Sequence, residues 1–405
     1  MHKPSSDTQL DRSVTLVQLT LFGTGSILGA GIYVLIGKVA GEAGIYTPMA
    51  FLLAAAIAAV TAFSYAEVSA RYPRSAGEAT YVLAAFQRPW LATLVGYAIV
   101  LTGIVSSATL ANGFVGYSQQ LLPLPALPLI VIPVALIGLV AIWGIRQSMV
   151  AAAVVTLIEI GGLLLVIAVA KDSLLTLPTQ WPNLVPAINQ VNSLAIISGC
   201  TLAFYAFIGF EDMVNVAEEV VEPRKNLPKA ILLAFFMATS LYVIVAVLAV
   251  LALPMQQLVA SEAPFATLME IYGYSPTLIS LVSLIAIING ALVQVIMASR
   301  VLYGLARQGG APSYLASVNP TTRTPVIATV LVTLIVAVLA LLFPLASLAK
   351  MTSIIVLAVF VLVNVSLIKI KIDDDKSPES FAVPLFVPFG GALLSAALLL
   401  MAIFA

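Results

Sequence analysis

The sequence predicts an all-α integral membrane protein that crosses the bilayer eleven times. Of its 405 residues, 61% are hydrophobic and only 9% are charged, whereas an average soluble domain carries about 25% charged residues. Apolar segments recur from Val14 to Ala405, and each is long enough to cross a hydrocarbon core of roughly 30 Å as a helix. A soluble protein this apolar would expose large adhesive patches, so the lipid bilayer is the expected solvent.

Eleven spans follow from these segments, and the connections are too short to fold as separate soluble domains. Residues 1–405 therefore form a single transmembrane domain. Spans one to five cover about 14–170, spans six to ten cover about 194–368, and an extra helix covers about 383–404. The first half starts inside the cell and the second half outside, which gives the halves inverted topology. The predicted spans are 14–37, 45–66, 90–117, 127–143, 148–170, 194–217, 228–253, 277–305, 325–343, 347–368 and 383–404.

The basic residues orient the chain in the membrane. With a cytoplasmic N-terminus, 15 of the 18 lysines and arginines fall on the inner side. Lys38, Lys171 and Lys350 fall on the outer side. Because cytoplasmic loops carry an excess of basic residues, this asymmetry favours an inner N-terminus and an outer C-terminus. The expected location is the cell membrane, as a multi-pass protein of a bacterial inner membrane.

The rest of the composition excludes several classes of function. The net charge is zero, so nothing indicates a nucleic-acid partner. Cys200 is the only cysteine and His2 the only histidine, which excludes an internal disulfide and a His or Cys metal cluster. No cofactor is expected, and the oligomeric state is left open. An intramembrane protease would need a Ser–His or paired-Asp arrangement, which the spans lack, so we expect no enzyme. A channel would need a repeated filter loop, and the sequence shows none.

The first span is interrupted by small residues. Its segment 23–31, GTGSILGAG, contains four glycines in nine residues, and each glycine costs a helix roughly 1 kcal/mol against alanine. Close packing against a neighbouring helix explains the spacing of Gly25 and Gly29. It does not explain Gly29-Ala30-Gly31, because three consecutive small residues leave every side of the helix without a large side chain. Unwinding there would free backbone groups at mid-membrane, where they must line a cavity or meet a ligand.

The sixth span supplies a counterpart. Gly209 is followed by Glu211 and Asp212 deep in an apolar stretch. The alternative is that this span ends at Phe210, although apolar residues continue beyond the two acids. Spans one and six are the first helices of the two halves, and interrupted spans in corresponding positions point to the midplane site of a transporter.

These segments resemble the amino acid–polyamine–organocation permeases, in the branch of basic amino acid, polyamine and cationic amino acid transporters. The resemblance implies the leucine-transporter-type fold, with two inverted five-helix repeats and discontinuous helices one and six. It also implies transport of amino acids or amines, often coupled to protons or by exchange. The segments that carry it are 25–33 GSILGAGIY, 65–67 YAE, 72–78 YPRSAGE, 207–211 FIGFE, 218–223 EEVVEP, 228–231 PKAI and 298–303 ASRVLY.

The resemblance also implies a binding site for an amino acid zwitterion. The substrate carboxylate would meet backbone N–H groups of Gly29, Ala30 and Gly31 at a helix N-terminus, which attracts anions. Tyr205 falls where relatives carry an aromatic gate over the substrate; a core aromatic residue is the alternative. The ammonium group would be received by carbonyls at Ser26, Ile27, Tyr205, Ala206 and Ile208.

Two acids within the spans are candidates for proton coupling. Glu159 lies in the middle of span five, where an ionised carboxylate costs roughly 2.5–3.5 kcal/mol on insertion scales. Its alternative is a structural carboxyl that hydrogen-bonds to the unwound first helix. Glu211 matches a glutamate that some relatives protonate with substrate. Asp212 points about 100° away from it on a regular helix, so we expect it to be a structural partner.

The charge of the substrate is indicated only weakly. Spans three and ten contain no acid; their polar residues are Ser106, Ser107, Asn112, Thr352 and Ser353. A cationic amino acid would require a carboxylate at the far end of its pocket, so the sequence favours neutral amino acids. A polyamine or cationic amino acid exchanger is the alternative, with Glu159 or Glu211 receiving the second ammonium group.

Overall fold

A computed structural model of the chain describes residues 12–29, 31–74, 77–143, 149–185, 190–373 and 380–404. Within these ranges no β-strand occurs, and one isolated parallel bridge joins Val14 to Val220. Short 3₁₀ helices cover Gly44–Tyr46, Lys171–Thr176, Glu211–Glu219 and Ser313–Ala316. The α-helices are α1 Leu16–Leu28, α2 Ile32–Ala43, α3 Thr47–Arg71, α4 Gly77–Phe86, α5 Pro89–Gln119, α6 Ala126–Trp143, α7 Met149–Ala170, α8 Leu177–Leu184, α9 Gln190–Tyr205, α10 Pro223–Ala252, α11 Met255–Ala260, α12 Pro264–Ile271, α13 Thr277–Arg307, α14 Val326–Leu342, α15 Leu345–Asp373 and α16 Phe386–Phe404.

Eight helical stretches within the described ranges are long and apolar enough to cross a membrane. They are Ile32–Arg71, Pro89–Gln119, Ala126–Trp143, Val150–Leu184, Pro223–Ala252, Thr277–Arg307, Leu345–Asp373 and Phe386–Phe404. Three shorter apolar helices accompany them, namely Leu16–Leu28, Ser193–Tyr205 and Val326–Leu342. Helices satisfy all backbone groups internally, as the hydrocarbon core requires, so the prediction of an all-α multi-pass membrane protein is confirmed.

The outer surface of the bundle is apolar. Leu127 and Leu139 of α6 are each 61% exposed, and Leu393 of α16 is 71% exposed. An aqueous protein would aggregate through such a surface, whereas lipid tails are as apolar as leucine. The exposed leucines therefore mark the faces of α6 and α16 that meet lipid.

The two parts of the first predicted span are held by different neighbours. α1 packs against α7 and α10, whereas α2 packs against α9. Elsewhere α5 runs along α13, and α3 runs along α10. The last helix, α16, packs on α15 and α3. The break between α1 and α2 thus lies at the centre of the helix packing, among α7, α9 and α10.

Several of the short connections between the predicted spans are helical. α4 joins spans two and three, α8 lies between spans five and six, and α11 and α12 lie between spans seven and eight. α4 lies close to the 3₁₀ helix Glu211–Glu219. A Cβ atom added at Gly77 of α4 would lie only 2.2 Å from Cγ2 of Val214. These short helices are stabilised by tertiary packing, which a single-sequence pattern does not report.

A buried ionic network fastens α3 to α15. Both Arg71 (through Nε at 2.9 Å and Nη2 at 2.6 Å) and Lys371 (Nζ at 2.8 Å) donate to Oε1 of Glu67. Lys371 also donates to Oε2 at 2.8 Å, as does the backbone N–H of Val383. Glu67 is fully buried, so its charge is balanced by two cations and its oxygens are satisfied by hydrogen bonds.

We expect Glu67→Gln to destabilise the fold strongly. Breaking a buried ionic network from one side leaves unbalanced charge in the interior, at a typical cost of about 3–5 kcal/mol. The matched control is Lys369→Gln, which removes the exposed pair of Lys369 with Asp373 and should cost about 0–1 kcal/mol. Thermal unfolding in detergent measures both; equal melting temperatures for the two variants would contradict the prediction.

Candidate functional site

The first break separates α1 from α2 at mid-bundle. α1 ends at Leu28, and the N–H of Gly29 still donates to the carbonyl of Gly25 at 2.8 Å. α2 begins at Ile32 after Gly31, whose φ of −122° and ψ of −65° are not helical. Ala30, one of the predicted binding residues, lies outside the described residues. The N–H of Val34 donates to the carbonyl of Gly31 at 3.2 Å, whereas those of Ile32 and Tyr33 have no partner within their own helix. This end of α2 can therefore bind an anion.

The second break follows α9. The helix ends at Tyr205, and the chain continues through turns in which the N–H of Ile208 donates to the carbonyl of Tyr205 at 3.2 Å. Gly209 has a φ of +129°, a conformation that only glycine adopts readily. A 3₁₀ helix then covers Glu211–Glu219. The sixth predicted span therefore does not continue as one α-helix: its α-helix ends at Tyr205, and a 3₁₀ helix begins at Glu211.

The two breaks contact each other directly. A Cβ atom added at Gly31 would lie 2.2 Å from Cα of Ala206, and one added at Gly209 would lie 2.6 Å from the carbonyl carbon and oxygen of Ser26. Side chains have no room at either position. The structure thus brings together Ser26, Gly31 and Ala206, three of the residues that the sequence analysis assigns to substrate binding.

Tyrosine hydroxyls reach the backbone around the first break. Tyr242 of α10 donates to the carbonyl of Ile27 at 2.7 Å, and Tyr33 donates to the carbonyl of Glu159 at 2.6 Å. The carbonyl of Ile27, a predicted ammonium acceptor, therefore already has one donor. A carbonyl oxygen has two lone pairs, so a second hydrogen bond at Ile27 is chemically open. Tyr242 is absent from the predicted site because its contact is purely tertiary.

Tyr205 is hydrogen-bonded to α5. Its hydroxyl lies 2.9 Å from Oγ of Ser106 and 3.2 Å from the carbonyl oxygen of Ser106. The side chain is fully buried. This contact joins the second break to a serine that the sequence analysis names as a polar residue of span three. Both an aromatic gate and a core aromatic residue are compatible with this position.

Glu159 faces the first break from α7. Cβ atoms added at Gly25 and Gly29 would lie 3.5 Å from its two carboxyl oxygens. The residue is fully buried, and among the described residues neither oxygen has a hydrogen-bond donor with good geometry. The side chain of Asn289 on α13 is close enough to interact. Because an unsatisfied buried polar group is costly, Glu159 requires an explanation other than packing.

Glu211 and Asp212 lie together at the second break. Oε2 of Glu211 accepts the N–H of Gly209 at 2.9 Å, and Oδ2 of Asp212 accepts from Nε2 of Gln294 at 3.2 Å. Both acids line a cavity of about 20 Å³ that Glu78 of α4 also lines. On a regular α-helix the two acids would point about 100° apart, whereas in the 3₁₀ helix both line the same cavity.

Comparison with known proteins identifies what the chain resembles. A family model described as amino acid permease matches residues 14–405. Cationic amino acid transporter 3 of Arabidopsis thaliana is 29% identical over 90% of the chain, and the chain spans 63% of that protein's length. The branched-chain amino acid permease BcaP of Bacillus subtilis is 29% identical, with 94% of the chain and 85% of BcaP covered. The methylthioribose transporter of the same bacterium is 28% identical, with 95% and 86% covered.

We expect substitutions at the contact between the breaks to destabilise the protein in a graded way. Gly31→Ala and Gly209→Ala would push the two breaks apart. The added Cβ atoms would lie 2.2 Å from Cα of Ala206 and 2.6 Å from the carbonyl group of Ser26, respectively. Gly29→Ala should cost less, because its nearest contacts are 3.1 and 3.2 Å. Gly161→Ala, which meets nothing within 4 Å, is the control. Thermal unfolding should rank the four variants in this order; a melting temperature for Gly31→Ala as high as that of Gly161→Ala would refute it.

Proposed function

The chain belongs to the amino acid permease family, and from this premise we propose that it is a secondary active transporter that carries an amino acid across the cell membrane by alternating access. The observation that supports the proposal most directly is the contact between the two helix breaks, Gly31 on Ala206 and Gly209 on Ser26. Discontinuous helices that meet at mid-membrane provide both polarities that a zwitterion needs.

The two ends of the substrate would meet different parts of this contact. Its carboxylate would bind the backbone of Gly29, Ala30 and Gly31 at the start of α2, because the positive end of the helix dipole lies there. Tyr205 would cover the substrate and be released from Ser106 when the site opens. The ammonium group of the substrate would meet backbone carbonyls among Ser26, Ile27, Tyr205, Ala206 and Ile208.

We further propose eleven membrane spans in two inverted repeats of five plus one. In this assignment α1 with α2, and α9 with the 3₁₀ helix Glu211–Glu219, each make one discontinuous span. The other spans are α3, α5, α6, α7, α10, α13, α14, α15 and α16. The three shorter apolar helices, Leu16–Leu28, Ser193–Tyr205 and Val326–Leu342, support the assignment because two of them are halves of the interrupted spans. The N-terminus would face the cytoplasm of a bacterial cell.

Glu159 and Glu211 are the proposed proton carriers. Each is buried, and each faces one of the two breaks: Glu159 beside Gly25 and Gly29, and Glu211 bonded to the N–H of Gly209. A carboxyl that changes its protonation when the breaks move would couple proton flow to transport. Intramembrane acids are functional by default, which supports this role for Glu159.

Two substrate classes remain candidates. Neutral amino acids are the first, because the predicted spans three and ten, 90–117 and 347–368, contain no carboxylate. Cationic amino acids or polyamines are the second, and a specific observation favours them: the cavity beside the second break is lined by Glu78, Glu211 and Asp212.

A ligand panel tests the proposed function. We expect at least one amino acid to raise the melting temperature of the purified protein, because a ligand that binds only the folded state stabilises it by about 2.7 kcal/mol at 100 times its Kd. The same compound should support counterflow in proteoliposomes. Leucine, alanine, lysine, arginine and putrescine separate the substrate classes. Failure of every amino acid and amine in both assays would overturn the proposal.

Glu159→Gln tests the proposed proton carrier. Gln matches the protonated acid in size and hydrogen bonding but releases no proton, so we expect counterflow to persist and uptake driven by a pH gradient to be lost. Glu159→Leu, which removes all polarity, distinguishes a structural role through its melting temperature. Proteoliposome uptake with and without an imposed pH gradient measures the difference. Undiminished proton-driven uptake by Glu159→Gln would eliminate Glu159 and leave Glu211.

A further inference from the structure

A small cavity beside the second break is lined by three carboxyl groups from two separate elements. Glu211 and Asp212 belong to the 3₁₀ helix Glu211–Glu219, and Glu78 belongs to the short helix α4. The cavity measures about 20 Å³, which is enough for one water molecule. Tyr65 of α3, Thr102 of α5 and Asn215 of the 3₁₀ helix complete its polar lining. The cavity thus joins the second break to a connection that the sequence analysis does not include in the site.

Glu78 is aimed into this cavity with part of its carboxyl group unsatisfied. The residue is 2% exposed; its Oε1 accepts from the hydroxyl of Tyr65 at 3.2 Å, and its Oε2 has no hydrogen-bond partner among the described residues. The neighbouring Gly77 allows α4 to contact Val214. The position of Glu78 is therefore fixed by close packing of α4 against the Val214 side chain, and a buried carboxyl oxygen without a partner in a residue that lines a water-sized cavity points to a bound water or ligand there.

The groups that face Glu78 are all acidic or neutral. From α3 it meets Tyr65, from its own helix Tyr81, and from the 3₁₀ helix Glu211 and Asp212. No lysine or arginine lines the cavity among the described residues. Burial raises the pKa of Glu78 to about 7, and hydrogen bonding from its own backbone N–H and from the hydroxyl of Tyr65 offsets part of that effect. Like charges in one small site oppose simultaneous ionisation, so protons must be shared among the three carboxyls.

We propose that Glu78 is a further proton-handling residue, which exchanges a proton with Glu211 and Asp212 through a water molecule in this cavity. The inference rests on the proposed proton coupling at Glu211. In the step, a protonated carboxyl of the pair gives its proton to the water, and the water gives a proton to the carboxylate of Glu78. One O–H bond breaks and one forms at each transfer, so the total charge of the cavity does not change.

The proposal also fixes how stability depends on pH. The pKa of Glu78 is raised from 4.5 to about 7 in the folded protein, so between these values the folded state binds a proton that the unfolded chain has released. Stability contributed by this group is present below pH 4.5 and is lost as the pH rises to about 7. The variant Glu78→Gln has no such proton, and its melting temperature should fall less over the same range.

The decisive experiment titrates the carboxyl groups of the purified full-length protein by infrared spectroscopy. Unmodified protein should lose a protonated-carboxyl band with a midpoint near pH 7. In Glu78→Gln the band should lose the part of its amplitude that Glu78 contributes, and in Glu78→Asp that part should remain with a lower midpoint, since aspartate is the stronger acid. Glu270→Gln, which removes an exposed carboxyl of α12, is the control and should leave the band as it is.

Each outcome decides the proposal. A band near pH 7 that persists unchanged in Glu78→Gln overturns it, as does an unchanged midpoint in Glu78→Asp if Glu78→Gln does not fold. In proteoliposomes, loss of the pH dependence of uptake near pH 7 in Glu78→Gln supports it. If no tested solute is transported by the unmodified protein, the proposed function fails, while the infrared titration still accepts or rejects Glu78 as a proton-binding group.

Discussion

The contact between the two helix breaks is the constraint on which the rest of the structure depends. Inside a hydrocarbon core an unwound backbone has no water to bond to, so each break must be satisfied by protein or by a ligand. Here the breaks are packed on each other, Gly31 against Ala206 and Gly209 against Ser26. Only glycine allows main chains to approach so closely, which explains why side chains are excluded at both positions.

Buried phenol groups hold this contact in place. Tyr242 on α10 binds the carbonyl of Ile27, and Tyr33 on α2 binds the carbonyl of Glu159 on α7. Tyr117 on α5 in turn donates to the carbonyl of Tyr33 at 2.8 Å. Each bond uses a neutral donor on a rigid ring to satisfy a buried carbonyl, as the low dielectric of the interior requires. Three helices, α5, α7 and α10, are thereby tied to the two parts of the first span.

The sequence predicts where the breaks lie but not how they are completed. Gly29 and Gly31 mark the first break, and Gly209 marks the second, because glycine weakens a helix and permits a positive φ. The end of α9 at Tyr205 and the 3₁₀ form of Glu211–Glu219 are not predictable in this way. They depend on tertiary contacts such as that of Gly77 with Val214, which join positions distant in the sequence and leave no local pattern.

The geometry also gives a physical reason why proton binding and transport would be linked. Glu159 lies against the first break, Glu211 bonds to the second, and the two breaks touch. Any motion that separates the breaks to admit or release a substrate must change the surroundings of both carboxyls in the same step. A change in solvation alters the relative free energy of the charged and neutral forms, and reciprocally the protonation state biases which arrangement of the breaks is populated. Coupling of this kind needs no dedicated pathway between distant sites, because the proton-binding groups and the moving backbone are in direct contact.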